Sequence, residues 1–466
     1  MPNRTRRFAQ LAPVAAVIGL AVATASAPTP EAQVALPLLG VGMILLTLFL
    51  FRIQQDAEGA RFLLSVVLWA VAARFLIYGL IQQSMGPYVF APDALTYEAV
   101  SADIVRAWTE GAPLPPRALD SLQVGYYYYV AVFNLLLGEP SSGPVAVNIF
   151  LSAWTAVPIY YAAYLVANQH RGVAETAAIL VAFFPSLILW STLNIREAPA
   201  VILIGFTLLL FVRFQLKGKP WDAVGVIVLL ALLLTIREYI AFLVGISATA
   251  GTLIGKSRSP VRALFLGSGM LVGVTFVLQN ASELGGSLTE DPSLERVQYL
   301  RRDLATGAGS AYGEGFDVST PQGALVFLPV GLAYFLFAPF PWAIGSALQA
   351  VTIPETLIWY TLVPFGVWGM ILAVRHDARS YTTLLTCLVT LTFAYALVEG
   401  NVGTAYRHRA QILPFVLIFC ALGLRDAWGV YRLRRDRARR QRRSAAARLG
   451  EIRPERVRAS GSSSES

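Results

Sequence analysis

Runs of roughly 17–25 apolar residues recur along almost the whole of this chain, and each is about long enough to cross the hydrocarbon core of a bilayer. No other feature restricts the fold so strongly. Hydrophobic residues make up 56% of the sequence and charged ones 14%, with a mean hydropathy of +0.59. Soluble domains run near 45–50% apolar and about 25% charged. The expected fold is an all-α polytopic membrane protein with about twelve transmembrane helices, within a range of 10–13.

The candidate spans are 10–28, 35–52, 61–82, 144–167, 173–192, 198–214, 223–236, 239–255, 261–280, 355–374, 381–398 and 409–425. The first follows Arg4, Arg6 and Arg7 and ends in Ala25-Ser26-Ala27, a signal-peptide-like pattern. In a protein with this many spans it is expected to stay uncleaved. Cys387 and Cys420 both fall inside apolar runs and read as small core residues. The three histidines are not clustered, so the sequence offers no protein-built zinc site.

The formal charge of +9 is concentrated at one end. From Arg425 onward the chain carries 13 Arg against five acids. This tail (426–466, expected to be disordered) and the Arg4–Arg7 terminus both read as cytoplasmic by the positive-inside rule. The basic loops around Arg171, Lys217 and Lys219, Arg258 and Arg262, and Arg375 and Arg379 then fall on the same side. Arg407–Arg409 is the exception. Residues 1–425 form the expected membrane domain, and few Lys against many Arg suggest a GC-rich genome and a bacterial plasma membrane.

The outer side receives the loops 83–143 and 281–353, the turns Asn194–Glu197 and Thr235–Tyr239, and Glu399–Arg409. Two apolar stretches in the loops, Val124–Leu137 and Ala324–Ala338, are expected to lie in the interface. The Tyr126–Tyr129 cluster suits the headgroup level. Residues 282–322, rich in Gly, Ser and charge, read as a loop. Charged residues stand flush against apolar runs at these outer ends: Asp93 and Glu98, Arg196-Glu197, Arg237-Glu238, and Arg407-His408-Arg409. Ionisable groups beside hydrocarbon are costly and mark function. One alone is most simply a boundary residue in water, or one of a pair such as Arg196 with Glu197. Four such groups converging on one face point to a site. Arginines suit a phosphate, which they grip bidentately, and a separate carboxylate suits deprotonation of a hydroxyl. Glu98 and Asp103 read as helix-face residues, and Asp120 as a loop acid.

Several segments carry a family resemblance. They are Pro92-Asp93-Ala94-Leu95-Thr96-Tyr97-Glu98-Ala99, then Gly125-Tyr126-Tyr127-Tyr128-Tyr129 with Leu137-Gly138. Phe184-Pro185-Ser186 with Ser191 and Arg196-Glu197 comes next, followed by Ala405-Tyr406-Arg407-His408-Arg409 with Leu413-Pro414. In this order, over roughly residues 60–425, the chain resembles the GT-C superfamily of lipid-linked-sugar glycosyltransferases, akin to the protein O-mannosyltransferase and aminoarabinose-transferase families (glycosyltransferase family 39-like).

The resemblance implies an inverting transferase that moves a sugar from a polyprenyl-phosphate carrier to a glycan, lipid or protein acceptor on the outer face of the membrane. It implies Asp93 as the general base on the acceptor hydroxyl. Arg407 and Arg409, helped by Arg196 or Arg237, would hold the carrier phosphate, with Glu197 and Tyr97 beside them. No Walker or Rossmann phosphate loop is present. A divalent metal between Asp93 and Glu197 is compatible with the sequence and not required. Two other functions remain open. A lipid-linked oligosaccharide polymerase or ligase shares the spans and outer arginines. A transporter or flippase predicts mid-span charges and internal repeats. The basic tail reads as a membrane-surface clamp, with nucleic acid excluded as a partner.

Overall fold

Several helix ends follow local chemistry in the computed structural model, which describes residues 3–53, 56–119, 122–138, 141–256, 293–307 and 309–432. The first helix, α1, spans Asn3–Ala25. Thr29 accepts a bond from the Ala32 amide at 3.1 Å, and Pro30 fills the first turn of α2 (Pro30–Arg52). Asp56 caps α3 (Ala57–Gln83) in the same manner. Next come α4 (Asp93–Glu110), α5 (Gly125–Leu137), α6 (Ser142–Trp154) and α7 (Ala156–Val166). They are followed by α8 (Arg171–Phe183), α9 (Pro185–Ser191), α10 (Glu197–Lys217), α11 (Pro220–Ile236) and α12 (Glu238–Ile254). Beyond residue 292 lie α13 (Leu294–Ala305), α14 (Pro321–Phe337), the short α15 (Ala347–Val351), α16 (Ile353–Val398), α17 (Val402–Arg409) and α18 (Leu413–Arg432). Among the described residues there is no strand beyond an isolated bridge between Ala311 and Asn401.

Among the described residues the fold is all-helical, and six helices are long and apolar enough to cross a membrane, or seven if the bent α8–α9 pair is one span. That is fewer than the twelve expected, for identifiable reasons. The apolar part of α1, Ala9–Ala25, and helices Pro220–Ile236 and Glu238–Ile254 reach only 17 residues each. The expected spans 355–374 and 381–398 lie in one helical segment, α16, interrupted at Asp377 (φ −158°, ψ 61°). The expected span 261–280 and the tail 433–466 lie outside the described residues. Val124–Leu137 and Ala324–Ala338 do form helices, of 13 and 17 residues. The exposed faces of these helices are apolar, as on α2, where Val34, Leu38, Leu45 and Phe49 point outward. Such surfaces suit lipid contact.

Packing brings α1 against α3, α10 against α11, and α12 against α16. Pro185 has no N–H to continue α8, so the chain bends by 48° into α9. Arg74, fully buried within α3, crosses to that break. Its guanidinium donates to the Ala182 carbonyl at 2.7 Å and to Ser152 Oγ at 3.0 Å. Ser152 in turn donates to the Leu187 carbonyl at 3.0 Å. The Ala182 carbonyl, left by the broken helix, is thus satisfied inside the apolar interior, where an unpaired polar group is expensive. The sequence reading passed over this mid-span charge.

Helices α16 and α18 meet backbone to backbone. A Cβ on Gly369 would lie 1.9 Å from the Phe419 carbonyl oxygen, and one on Gly423 would lie 2.1 Å from that of Phe365. Small residues allow this approach. Gly369→Ala is therefore expected to push the helices apart at a cost of about 1–3 kcal/mol. Gly42→Ala, with nothing within 4 Å of its Cβ, is expected to be neutral or to stabilise by up to about 1 kcal/mol. Thermal unfolding of the two purified variants checks the contrast, and equal melting temperatures would contradict the close approach.

Candidate functional site

Two Arg-Glu pairs open helices at one end of the bundle. Glu197 is the first residue of α10 and Glu238 the first of α12, each preceded by its arginine. Carboxylates in a first helical turn are favoured by the helix dipole. The turn before α10 is held from below by buried Asn148 of α6, whose amide donates to the Ile195 carbonyl at 3.2 Å and to Tyr126 Oη at 3.0 Å. Tyr126 donates to Asn194 Oδ1 at 2.9 Å. On the other side Glu98 of α4 accepts from Asn194 Nδ2 at 3.3 Å and from the Tyr88 hydroxyl at 2.9 Å. Three helices thus fix the turn that delivers Arg196 and Glu197.

Glu197 is the hub. Its side chain is 1% exposed, and its Oε1 pairs with Arg237 Nη2 and, at 2.9 Å, with Arg407 Nε. Arg407 then reaches outward, and its Nη1 contacts Asp93 Oδ2 at 2.8 Å. Burial alone would lower the Arg407 pKa, but the Glu197 and Asp93 carboxylates outweigh burial and raise it, so this cation stays charged. Exposure rises outward along the chain of charges, from 1% at Glu197 to 15% at Arg407 and 48% at Asp93. Asp93 is thus the end of the chain that faces water.

Arg407 also forms part of the wall of a cavity of about 650 Å³. One side of that cavity is apolar, built by Ile77, Leu80 and Ile81 of α3, Phe90, and Ile188 and Leu189 of α9. The bend at Pro185 turns α9 so that it contributes this surface. Polar groups also line it, among them Ser310, Gln349, Glu355, Thr404 and Tyr406. The indole Nε1 of Trp190, also in the wall, is buried without a hydrogen-bond partner. An apolar pocket with a few convergent polar groups is the usual form of a ligand site.

No protein-family model matches the chain, and comparison with curated proteins finds no match.

The expected site residues fall into three groups. Asp93, Glu197, Arg237 and Arg407 come together as one contiguous ion chain. Arg196 and Tyr97 flank it. Arg196 donates to Gln123 Oε1 at 2.8 Å and to the Ile236 carbonyl at 3.4 Å, which ties the start of α10 to the end of α11. Tyr97 is buried and packs edge-on against Tyr126 with ring centroids 4.8 Å apart. Burial raises its phenol pKa above the ordinary value, which suits packing and not proton abstraction.

Arg409 departs from the expectation that it shares a phosphate with Arg407. Its guanidinium is 2% exposed and donates to the carbonyls of Phe335 (3.0 Å) and Ala338, with the Trp359 and Tyr406 rings on either side. Residues two apart on a helix point to nearly opposite sides. Arg409 thus braces α17 against α14. Glu399 and His408 were not among the expected site residues, although both fall in the outer segment Glu399–Arg409 singled out from the sequence. Glu98, taken there for a helix-face residue, is a strut. Among the described residues no three His, Cys, Asp or Glu side chains converge as a metal cluster. Between Asp93 and Glu197 lies the Arg407 guanidinium, which supplies their counter-charge.

Proposed function

We propose that this chain is an inverting membrane glycosyltransferase of the GT-C kind, moving a sugar from a polyprenyl monophosphate to an acceptor hydroxyl. The observation that supports it most is the position of Arg407, with an apolar cavity on one side and the Asp93 carboxylate on the other. An isoprenoid chain fits the α3 and α9 wall, and its phosphate then lies at Arg407, the one arginine among the described residues that line the cavity. Arg237 is committed to Glu197 and His408, and Arg409 to carbonyls, so neither competes for the ligand.

In this scheme the phosphate takes the place of Asp93 on Arg407 Nη1. Released, Asp93 accepts the proton of the acceptor hydroxyl as that oxygen forms its bond to the anomeric carbon. The bond from that carbon to the phosphate oxygen breaks, and Arg407 balances the charge left on the lipid phosphate. Glu197 keeps Arg407 in place throughout. Inversion follows from the resemblance.

The topology that accompanies this reading has twelve spans, both termini cytoplasmic and the ion chain on the outer side. Helices α11 and α12, at 17 residues, measure about 25 Å, close to the hydrocarbon thickness. A transporter would be expected to use mid-span charges. Arg74 is such a charge, but it is committed to the α8–α9 break and is not part of the cavity wall. An oligosaccharide polymerase or ligase remains the runner-up, favoured if arginine substitutions abolish activity and Asp93→Asn does not.

Membranes containing the protein, given a panel of radiolabelled polyprenyl-phosphate sugars, test the proposal. At least one donor is expected to label an acceptor fraction, and unlabelled polyprenyl phosphate is expected to compete. Absence of transfer from every donor by folded protein would overturn it.

A further inference from the structure

The middle residue of Arg407-His408-Arg409 turns inward. His408 is 6% exposed and stacks on Tyr395 with ring centroids 5.2 Å apart. Its Nδ1 contacts Glu399 Oε1, and its Nε2 lies 2.8 Å from Arg237 Nη1. A guanidinium only donates, so Nε2 accepts; the ring proton then sits on Nδ1 and points at Glu399. Glu399 is itself fixed, because Thr404 donates to its Oε2 at 2.6 Å. These two partners select one tautomer of the neutral imidazole.

The contacts continue toward the candidate site. Arg237 Nη1 also donates to Tyr239 Oη at 2.8 Å, while Nη2 holds Glu197. Glu197 in turn holds Arg407. We propose that His408 is a positioning residue: kept by Glu399 as the Nδ1–H tautomer, it accepts a hydrogen bond from Arg237 and thereby fixes, through Glu197, the angle at which Arg407 meets the cavity. A carboxylate at position 408 would draw Arg237 away from Glu197, and a cation there would repel it. A neutral acceptor orients the guanidinium and leaves its charge for Glu197.

The groups facing His408 are Tyr395 of α16 and Glu399 just beyond its end, Arg237 and Tyr239 at the start of α12, Glu197 of α10, and Arg407 beside it. Burial, joined by the Arg237 and Arg407 charges, lowers the imidazole pKa, and the pull of Glu399 does not offset them. The arrangement is therefore complete above the ordinary histidine value of about 6.5 and is lost as pH falls through the lower value in the folded protein. Protonation puts a hydrogen on Nε2 and turns an acceptor into a repelling cation.

The functional half of this inference rests on the lipid-phosphate reading above, so the test has two arms. In the first, the full-length protein labelled with 15N-histidine is examined by NMR. Three histidines give three ring systems, and His408→Gln identifies the relevant one. At pH 7 the ring is expected to be neutral, with Nδ1 protonated and Nε2 bare. An Nε2–H tautomer or an imidazolium at that pH overturns the proposal.

The second arm measures binding of a short polyprenyl monophosphate to detergent-purified protein between pH 5 and 8. His408→Leu is expected to weaken binding on the order of tenfold or more. His408→Gln accepts from Arg237 and donates to Glu399, so binding should stay within about threefold at pH 7. Both wild type and the Gln variant share the titration of the lipid phosphate near pH 6. Only the wild type should show an added loss on the acid side. Identical profiles for all three proteins overturn the positioning role. If wild type binds no lipid monophosphate at any pH, the donor reading fails instead, and the NMR arm alone decides whether His408 orients Arg237.

Discussion

Asp93→Asn is expected to slow sugar transfer by roughly 10²–10⁴-fold while leaving lipid-phosphate binding intact or tighter. The amide keeps the shape of the side chain, and its oxygen still accepts from Arg407 Nη1. It no longer has the basicity to take a proton from the acceptor hydroxyl. It also no longer competes as an anion for Arg407, which the resting protein pairs with Asp93 at 2.8 Å. Rate and donor affinity should therefore move independently, and a loss of fold would not produce that pattern. Asp103→Asn, on the same helix and facing water beside Arg106, is the matched control and should change neither quantity. Single-turnover rates and donor binding for the three proteins settle the matter. A folded Asn variant that transfers at the wild-type rate would remove Asp93 from the chemistry.

How far this site was legible beforehand depends on which link is considered. Residue types were legible: carboxylates and arginines flush with apolar runs mark places where charge is held against low dielectric. The pairings were not. Arg237 with Glu197 joins two helix starts, and Arg407 with Asp93 joins residues 314 apart. Nothing in local periodicity states which outer ends meet. Arg409 was different, because helix geometry already separates i from i+2 and assigns the two arginines to different sides. Arg74 was legible as well, since a charge near the middle of the run 61–82 requires a partner. What the sequence withheld was that its partners are Ser152 and the Ala182 carbonyl beside the break at Pro185, a residue more than a hundred positions away. The span count is supported only in part: six helices among the described residues are long and apolar enough, while Pro220–Ile236 and Glu238–Ile254, at 17 residues, fall just under the roughly 20 residues of an ordinary span.

Arg407→Ala is expected to raise the apparent constant for the lipid donor by about 10–150-fold and to leave the acceptor constant nearly unchanged. A charge-assisted bond to a phosphate is worth roughly 1.5–3 kcal/mol, which sets that range. Removing the side chain does not strand a buried anion, because Glu197 retains Arg237. The variant should therefore fold, and its defect should be confined to the ligand. Arg407→Lys restores a charge but not the fork that spans Nε to Glu197 and Nη1 outward, so rescue should be partial. Arg409→Ala separates this from a general need for positive charge near the membrane. That change leaves the carbonyls of Phe335 and Ala338 without their donor and should lower the melting temperature, with the donor constant of the remaining folded protein unaltered. If both arginines served only to anchor the helix end in headgroups, either Lys substitution would be nearly silent and the two Ala variants would behave alike. The contrast between 407 and 409 follows from their directions on one short helix, and an unchanged donor constant in Arg407→Ala would end the phosphate-grip hypothesis.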